Sequence, residues 1–532
     1  MKNNIFGYIF FIFIIGIMSF AIYKFNVQTK TKQAETSDIG NTGISINEKG
    51  TELTLGISNF DTINPIITTN KKVQNISKII YESLVNITED GKVESSLAKE
   101  WETSDNKTYI IRLKGGIKWS DGTYFSSSDV KYTIDKLKEN KKSVYADNVK
   151  NITEVDIIDN TTLRVILSQE VPFFEYYLNF PILSSNYYGE DDFWNTEKNN
   201  APITTGRFKI SETTDGGIVL VKNGNWWNIQ NDNSIIEKIT INIYSSIAEL
   251  YNAFKLGSID IMTTNNANYE QYIGTIGYNS SQIEGRNYVF LAFNTSNKLL
   301  SDKNIRKAIK YGINKDEIIS QIYNNSYSKA NFPLNSNSFL VDDSNENSLN
   351  LDEMNNLIKN NGWNLKNGKW QKIVDYKTTK LEFNLVVNND SNRTGVADFI
   401  KKSLEEQGFT INVIKASNSD YKKYLEKKNY DMILCEATQP IAPDLTTYFG
   451  SNNISNFSNN DVNEIMKYID NISDENELKN KFKKLYEIYE DEVPFVGIAR
   501  NKIYVITNSY MFGDIKSKWY NIFFGFKDWY TS

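Results

Sequence analysis

The 532-residue sequence contains no histidine and one cysteine, Cys435. Without histidine, the commonest general base at neutral pH and the commonest metal ligand are both missing, so zincin sites and histidine-based triads are excluded. A lone cysteine forms no intrachain disulfide and builds no Cys/His zinc cluster. Neither a Gly-x-x-x-x-Gly-Lys-Ser/Thr phosphate loop nor a Gly-x-Ser-x-Gly elbow occurs. Lys plus Arg number 59 against 65 Asp plus Glu, a net charge of -6. No strong basic field exists, which argues against nucleic acid as a partner. There are only 8 prolines, no internal repeat and no long Gly/Ser tract after residue 50. No second linker is therefore announced, and any lobes must be continuous or interleaved.

What is present is ordinary for a globular chain, with 40% apolar and 23% charged residues. The length is too great for one compact core and predicts at least two lobes. Aromatics reach 13%, with 32 Tyr, enough to fill cores and to line an apolar pocket with polar tips. The one long apolar run is residues 5–23, uncharged and flanked by Lys2 and Lys24. Its length suffices to cross a bilayer as a helix, which predicts an uncleaved anchor over residues 1–25. A cleaved signal with Ser19-Phe20-Ala21 at the site is the alternative, and a terminal core helix a further one. Lysines on both flanks leave the orientation open. Residues 26–50 are polar and dotted with Gly, Ser and Thr, and read as a flexible linker spanning about 25–30 Å on average.

Beyond it, strands are expected at 52–58, 108–113, 152–158, 162–167, 218–222, 238–244, 259–261 and 288–294. Helices are expected at 75–84, at 130–138 behind the cap cluster 126–129, at 247–256, and at 302–311 capped by Ser301 and stopped by Gly312. Asn314 and Glu317 form a candidate capping box. Residues 381–435 read β-α-β-α-β, with parallel strands at 381–387, 411–414 and 430–435 and helices at 395–407 and 420–427. A helix near 476–489 and strands near 495–507 complete the chain. The pattern is α/β.

Few residues invite a chemical reading. The adjacent acids Asp191-Asp192 and Glu405-Glu406 read as solvated faces. Two distant carboxylates of glycosidase type stay open at this stage. Cys435 reads as a small buried residue with no histidine to activate it. Trp119 with Asp121-Gly122 reads as a tight turn with an aromatic anchor. Trp226-Trp227 reads as packing, with stacking on a ligand the alternative. No catalytic residue, metal or cofactor is expected.

Several segments in order resemble the extracytoplasmic solute-binding proteins of family 5, the oligopeptide- and dipeptide-binding type. They are Asn64-Pro65; the block 79–134 with YESL, DG, LAKEW, IIRL, KWSDG and DV; Thr205-Gly206-Arg207-Phe208-Lys209; Asn223-Gly224-Asn225-Trp226-Trp227; 291–319; Tyr430-Asp431-Met432; and Asp491-Glu492-Val493-Pro494. The resemblance runs over about residues 52–510. It implies a periplasmic-binding-protein-like type II fold: two main α/β lobes with a hinge plus an inserted third lobe, preceded here by an N-terminal transmembrane helix. Lobe I would comprise 51–70 with 201–283 and 497–532, lobe II the insertion 71–200, and lobe III 284–496.

The same resemblance implies capture of a peptide or related small solute between lobes I and III. It also implies delivery to ABC permease subunits, with the likeness placing the globular part outside a cell membrane, as a monomer on a single-pass anchor. An anchored sensor or interaction protein that keeps the fold without transport is the alternative. Ligand-facing residues would include Asn64, Thr205 and the stretch Glu436, Ala437, Thr438, Gln439. The acid that pairs with a peptide's α-amino group in this family falls at Pro440, which carries no charge, so Glu436 and Asp444 are the substitutes. The arginine of dipeptide binders is not matched in 387–390, and the nearest cation is Arg393, at an expected helix start. These departures put short free peptides in doubt, since a buried chain end needs a charged partner. The lack of histidine argues against nickel.

Overall fold

Alternating apolar residues build the first layer. Leu53, Leu55 and Ile57 of the strand Glu52–Ser58 are buried, as are Ile239 and Ile241 of Lys238–Tyr244. The two strands run parallel, with Leu55 opposite Ile241. Gly217–Lys222 and Phe208–Thr214 extend this mixed sheet antiparallel. A second, wholly antiparallel sheet has the order Ala98–Thr103, Thr108–Leu113, Thr162–Leu167, Ile152–Asp159. Val130, Ile134 and Leu137 of the helix Ser127–Glu139 are buried in the same core as its inward residues Ile111, Leu163 and Val165. Asp129, three residues past the cap Ser126, accepts that residue's backbone N–H at 2.8 Å, so the polar cluster before the helix does start it.

The computed structural model describes residues 50–532 apart from 190, 265–269, 273, 342–348, 470–471 and 473. Gly50–Ser532 form one compact unit, in which Gly50 N–H already bonds Thr531 O at 2.6 Å. The anchor and linker expected over 1–49 lie outside the described residues. Among the described residues no helix is long and apolar enough to cross a membrane.

The third sheet joins the rest together. Its order is Ile261–Thr264, Phe495–Asn508, Tyr278–Phe293, Met432–Thr438, Glu382–Asn388, Thr410–Ala416, with Tyr327–Lys329 also paired to Phe495–Asn508. The expected β-α-β-α-β unit is observed: Glu382–Asn388 pairs parallel with both Thr410–Ala416 and Met432–Thr438, and the helices Ser391–Glu406 and Asn418–Lys427 make the crossovers. Two long antiparallel strands, Tyr278–Phe293 and Phe495–Asn508, run through the sheet, and their register breaks between Glu284 and Tyr288. At the break a Cβ on Gly285 would stand 2.3 Å from the Asn501 side chain, so the glycine leaves room for Asn501 to accept the Asn287 N–H at 2.8 Å.

Three expectations are corrected. The helix expected at 75–84 is Lys71–Ile80, because Asn70 caps it by accepting the Lys72 N–H at 3.0 Å. The cap before Lys303–Tyr311 is Asp302 rather than Ser301, its carboxylate accepting the Asn304 N–H at 2.9 Å. The strand expected at 259–261 is Ile261–Thr264, since the Asp260 carboxylate instead takes the backbone N–H of Thr54 at 2.5 Å.

Candidate ligand-binding site

The parallel strands end together at Asn388, Ala416 and Thr438, and the helix Ser391–Glu406 begins beside them. Carboxyl ends of parallel strands beside a helix N-terminus are where α/β folds place ligands. Asp390 caps the helix, accepting the N–H groups of Asn392 at 3.1 Å and Arg393 at 3.2 Å. The Arg393 side chain turns back toward that cap, its Nε 3.8 Å from Asp390 Oδ1. This Nε is buried and makes no hydrogen bond among the described residues, and the same holds for the Tyr323 hydroxyl and Asn388 Oδ1. Glu436 accepts the Tyr327 hydroxyl at 3.2 Å, and the Tyr323 and Tyr327 rings stack 3.9 Å apart. Burial raises both hydroxyls above the usual tyrosine range; Tyr327 and then Glu436 add to it at Tyr323, Glu436 adds to it at Tyr327, and Arg393 opposes at both. Two side chains that sequence reading weighed separately, Arg393 and Glu436, thus act on the same tyrosine pair. Tyr323 and Tyr327 themselves were missed; they sit on the irregular segment 318–329, where no period marks a pocket-facing side.

The stretch after Glu436 leads to a second feature. Ala437 lies opposite Tyr288 in the sheet, and exposed Thr438 donates to Asn287 Oδ1 at 3.3 Å. Gln439 is buried: its N–H bonds Arg286 O at 2.7 Å, its carbonyl accepts Arg286 Nε at 2.9 Å, and its amide donates to the Tyr448 hydroxyl. Gln439, Pro440 and Asp444 line a narrow cavity of about 50 Å³, closed from the other side by Asp90, Tyr176 and Trp519. Asp444 accepts the Thr446 N–H at 2.8 Å. Several contacts among the described residues hold the two sides together. Asn337 donates to Glu89 O at 2.6 Å, Phe339 N–H bonds Asp90 O at 3.0 Å, and Lys92 pairs with Glu475 at 2.9 Å. A space of this size takes a few waters; sites for small organic ligands run to roughly 300–1,000 Å³.

Residues 92–460 match the pattern of the bacterial extracellular solute-binding proteins, family 5 (middle). The chain belongs to this family. It is 24% identical over 454 residues to the oligopeptide-binding protein OppA of Bacillus subtilis, covering 79% of this chain and 81% of that protein. It is 25% identical over 308 residues to the periplasmic OppA of Salmonella typhimurium, spanning 53% of this chain and only 56% of that relative's length. In structure it is similar to the periplasmic murein tripeptide binding protein MppA in its unliganded open form, with a TM-score of 0.75 at 17% identity over 91% of this chain and 97% of that one.

Several of the motifs that make this chain look like a family 5 protein bond one another within the fold. Glu82 of YESL accepts both indole N–H groups of the Trp pair, Trp226 at 3.0 Å and Trp227 at 2.9 Å. Arg207 lies over the Trp226 ring at 4.8 Å, and Lys114 over the Trp227 ring at 4.0 Å. A partly buried carboxyl group is thus held by two indoles, each faced by a cation. Gly206 N–H bonds Ile80 O at 2.9 Å, and a Cβ there would meet the Ile80 backbone at 2.5 Å. Asn223 donates to Gly206 O at 2.9 Å. Three motifs more than a hundred residues apart at their extremes therefore close one junction. Beside it lies a cavity of about 570 Å³, walled by Lys78, Glu82, Arg207, Trp226 and the C-terminal segment 514–528.

Asn64 and Thr205 belong to this half of the molecule. Asn64 is fully buried, with its amide spent on Tyr188 at 3.2 Å and Asn199 at 2.7 Å and its oxygen on the Ile66 N–H at 3.1 Å. Thr205 is fully buried beside Gly206, its hydroxyl without a hydrogen bond among the described residues. Neither joins the Arg393–Glu436 group. Trp119 is buried and Gly122 N–H bonds its carbonyl at 2.9 Å, the expected tight turn. Cys435 is buried, accepts the Tyr421 hydroxyl at 3.1 Å, and burial pushes its thiol up to about 12.

Proposed function

We propose that this chain is the solute-capturing component of an ABC importer, holding a peptide or a related small solute between lobes I and III and passing it to the permease. Lobe I is 51–70 with 201–283 and 497–532, lobe II is 71–200, and lobe III is 284–496. Only two chain crossings then join lobe III to the rest, and both lie on the long strands whose register breaks between Glu284 and Tyr288. A break in a two-stranded connection is a natural hinge. The run 5–23 tethers the domain to the membrane, with 26–50 as the linker and the domain on the extracytoplasmic side.

The observation that carries this reading is the strand-end group. Tyr323 and Asn388 are buried with polar atoms unused, Arg393 Nε is likewise unused, and Glu436 stands beside them. Each unused buried polar atom costs about 1–3 kcal/mol, a cost that a polar solute would remove. Arg393 suits a carboxylate and Glu436 an ammonium, so the solute has at least one charged end. Native mass spectrometry of the chain purified in mild detergent tests this. A co-purifying ladder of peptides, lost in Arg393→Met, is expected. A single uncharged, non-peptide mass retained by Arg393→Met would sink the reading.

A further inference from the structure

The cavity of about 570 Å³ beside the Glu82–indole junction has the volume of a small-molecule site, which runs to roughly 300–1,000 Å³. Its walls come from 78–94, 179–181, 206–226 and 514–528, and none from 284–496. It is therefore a different place from the strand-end group of Arg393 and Glu436. Trp226, Tyr520, Phe523 and Phe524 give it aromatic surface.

Most charges on these walls are matched. Glu82 is held by two indoles. Lys516 pairs with Asp514 at 2.8 Å and stands 3.5 Å from Glu89. Arg207 faces Asp232 at 3.6 Å, and Asp528 also acts on it. Glu94 and Lys527 are exposed to solvent. Lys78 is the exception. It is half-buried in the last turn of the helix Lys71–Ile80. Its Nζ donates to Asn179 Oδ1 at 3.0 Å and stands 5.9 Å from the centre of the Tyr145 ring. Both partners are neutral, and Asn179 lines the cavity with Lys78. No carboxylate offsets the lost water, and burial pushes the ammonium down from the ordinary 10.5 to about 8. An amide oxygen solvates a charge in part; an anion would balance it.

We infer that this cavity binds a small organic monocarboxylate, with its carboxylate on Lys78 and its apolar body against the aromatic wall. The balance of charge sets the class. Five acids, Glu82, Glu89, Glu94, Asp514 and Asp528, stand on the walls against four cations, Lys78, Arg207, Lys516 and Lys527. A multiply charged anion would be repelled by that surplus, whereas a single carboxylate meets the one cation that no acid offsets. The inference does not depend on which solute the strand-end group takes. A missing peptide ladder would sink that reading and leave this one standing.

The test is saturation-transfer NMR of benzoate with the full chain in mild detergent. Detergent alone is the blank and benzylamine the control of opposite charge. Benzoate is expected to bind at least about tenfold more tightly than benzylamine. Lys78→Met should weaken benzoate binding at least about tenfold, because hydrogen bonds to a charged group are the strong ones. Its Tm should be unchanged or higher, since the stem is kept and only the unbalanced charge is lost. Phe524→Ser, on the aromatic wall, should weaken binding severalfold, and Arg393→Met should leave it as in the parent. No benzoate binding, equal binding of benzylamine, parental affinity in Lys78→Met or Phe524→Ser, or a loss in Arg393→Met as large as in Lys78→Met would overturn the inference.

Discussion

Replacing Glu82 by Gln isolates the charge in the indole sandwich from its shape. Burial raises the Glu82 carboxyl from the ordinary 4.5 to about 7, against the opposing hydrogen bonds of Trp226 and Trp227 and the charges of Lys114 and Arg207. The folded chain therefore holds this proton more tightly than the unfolded chain does. Stability from this group is complete below about 4.5 and is lost as pH rises through about 7. The interval corresponds to at most about 3 kcal/mol, and less in so far as Glu82 keeps an edge open to the 570 Å³ cavity. Glu82→Gln keeps one oxygen for the indoles but turns an amide toward Trp227, whose N–H lies 3.0 Å from the second oxygen. That mismatch costs about 1 kcal/mol at any pH. The variant should thus be slightly weaker than the parent at pH 4.5 and about 2 kcal/mol stronger at pH 8. Urea unfolding followed by tryptophan fluorescence at both pH values reads the difference directly. A stability difference between variant and parent that is the same at both pH values would refute the reasoning, whatever its size.

Other perturbations separate backbone, charge and reactivity. Gly206→Ala puts a Cβ 2.5 Å from the Ile80 backbone, which has no flexible end to yield; a loss of about 2–4 kcal/mol in urea is expected. Arg500 is fully buried, pairs with Glu284 at 2.8 Å, and donates to Asn335 Oδ1 at 3.1 Å and Leu334 O at 2.8 Å. Arg500→Met strands the acid and those acceptors and should cost about 3–5 kcal/mol, whereas a variant within 1 kcal/mol of the parent would show that the pair adds nothing net. Cys435, buried with its thiol pushed up to about 12, should resist alkylation at pH 8 in the folded chain and react only as urea unfolds it.

The fold was largely legible because its apolar periods are strong. Glu52–Ser58, Thr108–Leu113 and Thr162–Leu167 stand where alternation puts them, and the parallel unit around Glu382–Asn388 follows from strands and helices alternating over short distances. The strand Tyr278–Phe293 shows the limit. Only its last third is apolar, and that part alone was read. The first half, from Tyr278 to Glu284, is stabilised by backbone pairing to Phe495–Asn508 more than 200 residues away, and its central side chains, Asn279 to Gln282, are exposed. A pairing made through backbone atoms leaves no mark in a hydrophobicity pattern.

The site was legible in pieces and not as a whole. The residue types at Glu436 and Arg393 announced charge, but nothing in sequence spacing says that a strand end and a helix start 43 positions apart face the same pair of tyrosines. Among the motif residues, Trp226 packs as the sequence suggests, Asn64 spends its amide within the fold, and Glu82 is held by two indoles. The junction that Glu82 and Trp226 close is built from groups that bond one another: Gly206 N–H donates to Ile80 O, and Glu82 accepts both indole N–H groups. Their partners lie within the chain, whereas Arg393 Nε, Asn388 Oδ1 and the Tyr323 hydroxyl make no hydrogen bond among the described residues. A group already bonded inside the fold gains little from a solute, and an unbonded buried one gains most, so the proposed solute is to be sought at the second set.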